Sequence, residues 1–311
     1  MTATIAITGA AGLVGQNLLP RLKARGYNRI IAIDKHPTNT ALLRRLHPDI
    51  TVVEADLAKD DGWQKTLAGV EVVVISHAQI GGLDPAAFTA NNVTATERLL
   101  EAVRANGGSY LVHISSSVVK SVAKDWYIES KEAQEHLVVE SGMPAVVLYP
   151  TLMFGWFDRK HLGWLARFMR RVPLFPIPGH GRYPRQPLYA GDFCDIITAC
   201  IERRPIDKSF DISGLERIDY IDLMRAVQKA CGARAALVRI PYGLFWMLLY
   251  LYGLIDRDPP FTTKQLEALV TPDLFEVIDW PAIFGVTPTP LRAALAETFQ
   301  HPTYSQIELE F

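Results

Sequence analysis

Short aliphatic runs set apart by helical stretches constrain this chain more than any other feature. TIAIT (4–8), RIIAID (29–34), TVVEAD (51–56), EVVVIS (71–76), YLVHIS (110–115) and AVVLYP (145–150) are rich in valine and isoleucine, and SFDIS (209–213) adds a later strand. Between them Leu13 to about Arg25, ALLRRL, Pro85 to Ala105 and Trp126 to Glu140 read as helices. Strands that are apolar at successive positions bury both faces, which a parallel sheet covered by helices on each side provides. The expected architecture is α/β, a doubly wound parallel sheet over residues 1–170, regained at about 186–213.

After Pro150 the pattern changes. Proline and glycine crowd VPLFPIPGHGRYPRQP (172–187), which predicts loop and short extended pieces. From Ile218 onward the pattern is helical and irregular. Residues 171–185 and 214–311 are therefore expected to form a smaller, mostly helical substrate-binding region.

Composition narrows the function. With a net charge of -1 there is no electrostatic reason to expect nucleic acid or an anionic membrane as a partner. Cys194, Cys200 and Cys231 cannot all pair and lack metal-ligand spacing, which predicts buried thiols in a reducing compartment. The opening MTATIAITGAAG has no basic leader region, so a cytoplasmic location is expected. One stretch tests that expectation. Tyr242 to Ile255, YGLFWMLLYLYGLI, is nearly all apolar yet shorter than the ~20 residues of a membrane span. Core or pocket-lining helix and peripheral membrane contact both stay open for it.

The turn after the first strand is Thr8-Gly9-Ala10-Ala11-Gly12-Leu13-Val14-Gly15. A glycine turn between strand and helix lets backbone approach a pyrophosphate, which then meets the free N–H groups and positive dipole end of the helix. Asp34, at the end of the second strand, is placed to accept hydrogen bonds from the adenosine ribose and to repel a 2′-phosphate. That favours NAD over NADP, although Lys35 and His36 follow it. Asp56-Leu57, after the third strand, falls where an adenine would lie; a helix cap is the other reading of Asp56.

Tyr127 and Lys131 stand at i and i+4, on one face of a helix. A phenol with pKa near ~10 is a poor acid-base catalyst at neutral pH, and a neighbouring ammonium together with an oxidised nicotinamide is expected to lower it. Upstream, the strand YLVHIS ends in Ser115-Ser116-Ser117, at the sheet edge where open α/β folds bind ligands. A hydroxyl at 116 or 117 would orient a substrate carbonyl or alcohol against the tyrosine.

On TGAAGLVG, Asp34, SSS and YIESK the chain resembles the extended short-chain dehydrogenases/reductases, the NAD-dependent epimerase/dehydratase group, well over about the first 215 residues. The resemblance implies a Rossmann-type fold and a catalytic set of Ser116 or Ser117 with Tyr127 and Lys131. Further stretches match. SHAQIGG (76–82) is similar to the segment beside the cofactor, which brings in His77 and Ala78. NNVTATERLLEA (91–102) is similar to a helix whose Asn92 is a cofactor-side polar residue, and RQPLYAGDF to a segment whose Arg185 contacts substrate. Pro150 is then expected on the cofactor and Thr151 on the substrate. Helices beginning near Pro85 and Trp126 would form a homodimer interface.

Departures carry information too. Only 11 residues separate Ser116 from Tyr127, which implies a trimmed loop over the nicotinamide. No Asp-Glu pair follows the serine, which argues against dehydration. Pro150-Thr151 resembles the hydroxysteroid-dehydrogenase-like and complex-I-accessory-subunit-like branches. Three readings follow. The first is a nucleotide-diphosphate sugar neutralised by Arg159, Lys160, Arg182 and Arg185. The second is an apolar alcohol or ketone held by Trp156, Phe157, Phe245 and Trp246, and the third a non-catalytic NAD-binding assembly subunit.

Overall fold

The computed structural model describes residues 3–120, 125–255, 262–271 and 275–310. Its centre is a seven-stranded, all-parallel sheet built from β1 (Ile5–Thr8), β2 (Ile30–Asp34), β3 (Thr51–Glu54), β4 (Val72–Ile75), β5 (Tyr110–Ile114), β6 (Ala145–Pro150) and the strand Lys208–Ile212. In space the order is Lys208–Ile212, β6, β5, β4, β1, β2, β3. The chain winds outward from β1 to β3, then starts again from β4 on the other side. This is the doubly wound Rossmann arrangement, and its switch point lies between β1 and β4, where such sheets open a crevice.

The strands form where the aliphatic runs predict them. β1, β4, β5 and β6 are buried at every position. Helices cover both faces: α1 (Leu13–Ala24) and α7 (Ala190–Arg203) on one side, with α4 (Ala95–Ala105) on the other. α2 (Pro37–Leu46) follows β2, and α5 (Trp126–Glu140) spans the stretch its sequence predicts. The helical pattern from Pro85 to Ala105 differs in detail. α3 (Pro85–Phe88) passes through a π-helical turn, Thr89–Thr94, before α4 begins. The extra residue in that turn re-aims Asn92, and such turns recur at functional sites.

A second core lies beyond the sheet. α6 (Leu162–Arg171), α8 (Tyr220–Cys231) and α12 (Leu291–Gln300) bury Leu162, Met169, Met224, Val227 and Leu295 together. α6 falls before residue 171 in the chain but packs with this core. The strands Leu174–Pro178 and Ala236–Ile240 pair in parallel beside it. α9 (Tyr242–Ile255), α10 (Thr263–Val270) and α11 (Trp280–Phe284) follow. The later chain also returns to the sheet: Trp280 is 1% exposed in its core and donates its indole N–H to the Ser213 carbonyl (3.0 Å). The three cysteines are buried and free. Among the described residues no helix is long and apolar enough to cross a membrane, and no group of side chains could hold a metal ion.

Candidate active site

A cleft of about 590 Å³ runs along the carboxyl ends of the strands, across the switch point. At one end the glycine turn forms its floor. Gly9 has φ +65°, and a Cβ there would stand 2.7 Å from the His77 backbone; a Cβ on Gly15 would stand 2.3 Å from the Ala10 carbonyl. The turn is thus packed to backbone contact on two sides. α1 starts at Gly12 with no side-chain cap, and Leu13 and Val14 line the cleft, so the N–H groups of its first turn face the opening. A dinucleotide pyrophosphate fits that cradle.

Asp34 accepts hydrogen bonds from the Ala11 N–H and the His36 N–H, both at 3.0 Å, which holds its carboxylate against the turn and in the cleft wall. Lys35 is drawn aside to Asn91 Oδ1 (2.6 Å). Asp56 closes a local turn by accepting the Ala58 N–H (3.1 Å), and Asp56 and Leu57 line the same end of the cleft.

The other end holds the serines, the tyrosine and the lysine that the sequence singles out. Ser116, Ser117, Tyr127, Lys131, Pro150 and Thr151 all line the cleft. The three serines divide their work. Ser115 donates to Glu135 Oε2 (2.7 Å), and Glu135 also accepts the Tyr149 hydroxyl (2.6 Å). Ser116 stands near enough to the Tyr127 hydroxyl to act against the rise that burial imposes on it. Ser117 opens a short helical turn. The serine beside the phenol is therefore Ser116.

In the protein alone Lys131 is not among the groups that shift Tyr127, whose lowering was expected from the lysine and an oxidised nicotinamide together. Burial raises the phenol above its ordinary pKa, Ser116 works against that rise, and Asp125 adds to it. The reason lies in where the ammonium goes. Lys131 Nζ donates to the Ile114 carbonyl (2.8 Å) and to Gln134 Oε1 (2.5 Å), and burial pushes it down to about 7. In the protein alone Tyr127 is thus held protonated.

Behind these groups runs a polar chain that sequence reasoning missed. Gln134 Nε2 donates to Thr96 Oγ1 (2.9 Å) and reaches His77 Nε2 (3.2 Å), while His77 Nδ1 lies 2.7 Å from Thr8 Oγ1. Desolvation and the Lys131 charge push His77 down to about 3, so it stays neutral. Gln134 stands at i+7 from Tyr127 and i+3 from Lys131, a spacing that was there to be read. Asn92 is also a positioning residue: fully buried, it accepts the Gln79 N–H (2.6 Å) and donates to Ser130 Oγ (2.8 Å), tying the 77–82 loop to α5. It does not line the cleft, and neither does Gly15.

Arg185 is placed elsewhere too. Its guanidinium donates to the carbonyls of Pro184, Leu269 and Thr271, away from the cleft. Of the four cations expected on a diphosphate, Arg159 and Lys160 reach the cleft wall and Arg182 does not. Phe157 lines the cleft with φ +66°, while Trp156 is core, its indole N–H on the Glu297 carbonyl (3.0 Å). Leu309 and Glu310 close the rim, pinned where Asn39 and Glu310 exchange two hydrogen bonds. No sequence signal marks that tail. Of the short loop expected over the nicotinamide, residues 121–124 lie outside the described residues.

The Lys131 environment has a measurable consequence. Unfolded, the lysine holds its proton to about pH 10; folded, it releases it near 7. Between those values the unfolded chain binds the extra proton, so stability rises with pH. Without cofactor, the urea midpoint of the native protein should rise from about pH 7 to about pH 9 relative to Lys131→Met. An unchanged difference would show that the ammonium is not desolvated.

Comparison with known proteins shows the family. Residues 5–213 match the model of the NAD-dependent epimerase/dehydratase family. The chain belongs to that family and is an enzyme whose class works through NAD. It is 30% identical over 267 residues to a dTDP-glucose 4,6-dehydratase of Streptomyces griseus, covering 75% of this chain and 80% of that one. To a ceramide reductase of Caulobacter vibrioides it is 24% identical over 244 residues, covering 76% and 73%. The fold is shared with a UDP-glucuronic acid 4-epimerase from Bacillus cereus solved with NAD, at TM-score 0.76 and 20% identity over 96% and 98% of the two chains.

Proposed function

We propose that this enzyme moves a hydride between NAD and a secondary alcohol or ketone, with Tyr127 as acid and base. One observation carries the reading: Ser116, Tyr127 and Lys131 line one end of a cleft whose other end is a glycine turn beside Asp34. NAD supplies the hydride acceptor or donor. Gly9, Gly12, Leu13, Val14 and Asp34 would hold it. Ser116 then orients the substrate oxygen, Tyr127 gives or takes its proton, and Lys131, fixed by Gln134, orders the polar wall behind them. Thr151 lines the cleft as well, and its buried hydroxyl has no partner among the described residues.

The substrate we favour is a nucleotide-diphosphate sugar, supported by Arg159 and Lys160 on the cleft wall and by the nucleotide-sugar relatives. Epimerisation or reduction suits the site better than dehydration, since Ser117 and Val118 follow Ser116 where an acidic pair would be needed. An apolar ketone is the second reading. It is favoured by the apolar side chains of Val118, Leu152 and Met153 beside the serines and by the withdrawal of Arg182 and Arg185. NADH oxidation and epimer formation measured on UDP-glucose, UDP-glucuronate and dTDP-glucose, against long-chain and steroid ketones, separates the two. Silence on both panels despite NAD binding would contradict the proposed chemistry.

Asp34 carries the preference for NAD over NADP in this reading. Asp34→Ser removes the charge that repels a 2′-phosphate and should move the NADP/NAD affinity ratio by about tenfold or more toward NADP. An unmoved ratio in a binding titration would take the preference away from Asp34. A homodimer through α4 and α5 completes the reading, and analytical ultracentrifugation tests it.

A further inference from the structure

α9 is fourteen residues long and has no charged side chain. Leu244, Met247, Leu248, Leu251 and Leu254 recur at helical spacing along one face, and each is 46–68% exposed. Trp246 ties the helix to α10, its indole N–H reaching Glu267 Oε1 (3.3 Å), while Tyr250 beside it is 51% exposed and widens the apolar surface. A continuous outward apolar stripe is unusual for a water-exposed surface and marks an interaction site. At 1.5 Å per residue the helix is about 21 Å long, too short to cross a bilayer and suited to lying in its surface.

The charge around the helix selects the partner. There is no aspartate or glutamate from His161 to Gly191, nor from Leu223 to Ile255, in a chain whose net charge is -1. These two stretches meet where Leu174–Pro178 pairs with Ala236–Ile240. Arg171 and Arg234 stand just before the two strands. Arg182 and Arg239 stand at the other end, where the Gly179 N–H donates to the Ile240 carbonyl (2.7 Å) and α9 begins. All four are exposed, and none is paired with a carboxylate among the described residues. Two copies of so basic a face would repel each other, whereas an anionic surface attracts it.

We propose that α9 seats in the surface of an anionic lipid bilayer, its leucine face among the acyl chains and Arg171, Arg182, Arg234 and Arg239 beside lipid phosphates. The assignment holds whichever substrate fills the cleft. α6 then links the two sites, running from His161 on the cleft wall to Arg171.

Flotation of the full-length protein tests it, with vesicles of phosphatidylcholine plus phosphatidylglycerol and of phosphatidylcholine alone. The native chain should float with the mixed vesicles. The floated fraction should fall by about tenfold in high salt, on phosphatidylcholine alone, and in the double variants Leu248→Glu/Leu251→Glu and Arg171→Glu/Arg239→Glu. These residues lie outside the cleft, so NAD affinity and the thermal midpoint should match the native chain. Native protein that stays with the unbound fraction, or a leucine double variant that floats as well as native, overturns the proposal. So does a native dimer that the leucine double variant dissolves, because a second copy would then cover the face.

Discussion

Tyr127→Phe should lower kcat/KM on the true substrate by about 10²–10⁴-fold, the usual worth of a positioned acid-base group. That corresponds to about 3–5 kcal/mol of transition-state stabilisation. The ring is only partly shielded and keeps its packing when the hydroxyl is removed, so stability and NAD affinity should stay at native values. The loss should fall mainly on the chemical step, because the hydroxyl removed belongs to a cleft residue that stands beside Ser116 and not in the glycine turn that would hold the cofactor. Steady-state kinetics alongside an NAD titration checks this. Near-native turnover would mean that the substrate oxygen takes its proton from another source.

Gly9→Ala should have the largest effect on the folded protein itself. The residue sits at φ +65°, where a side chain costs about 1–2 kcal/mol. The added Cβ would also stand 2.7 Å from the His77 backbone, an overlap worth about 1–3 kcal/mol more. His77 cannot retreat easily, because its ring is held by Thr8, Thr96 and Gln134. A loss of about 2–5 kcal/mol is expected from the sum of the two terms, together with loss of NAD binding, since the same turn forms the pyrophosphate cradle. Urea unfolding and a cofactor titration read both. Unchanged stability would contradict the close packing of the turn.

The inner strands were legible because burial on both faces writes itself into continuous β-branched runs, whereas the edge strands β3 and Lys208–Ile212 are partly exposed. α5 was legible end to end: Asp125 caps it by accepting the Ile128 N–H (2.8 Å), and Tyr127 and Lys131 share its inner face. What the sequence hid were interactions set by tertiary approach. The direction of the Lys131 ammonium depends on Gln134 and the Ile114 carbonyl, so its presence at i+4 did not mean that it would reach the phenol. Arg185 looked like a ligand group until the 263–271 segment brought carbonyls to it. The Leu309–Glu310 rim depends on a contact with Asn39 across 271 residues, which no local pattern encodes.

A crystal structure of the NAD complex tests the central claim most directly. The adenosine ribose should lie on the Asp34 carboxylate, the pyrophosphate on the Gly9–Leu13 turn, and the nicotinamide ring beside the Tyr127 hydroxyl and Ser116. A dinucleotide bound with its nicotinamide away from Tyr127, or one that does not bind in this cleft, would contradict the account.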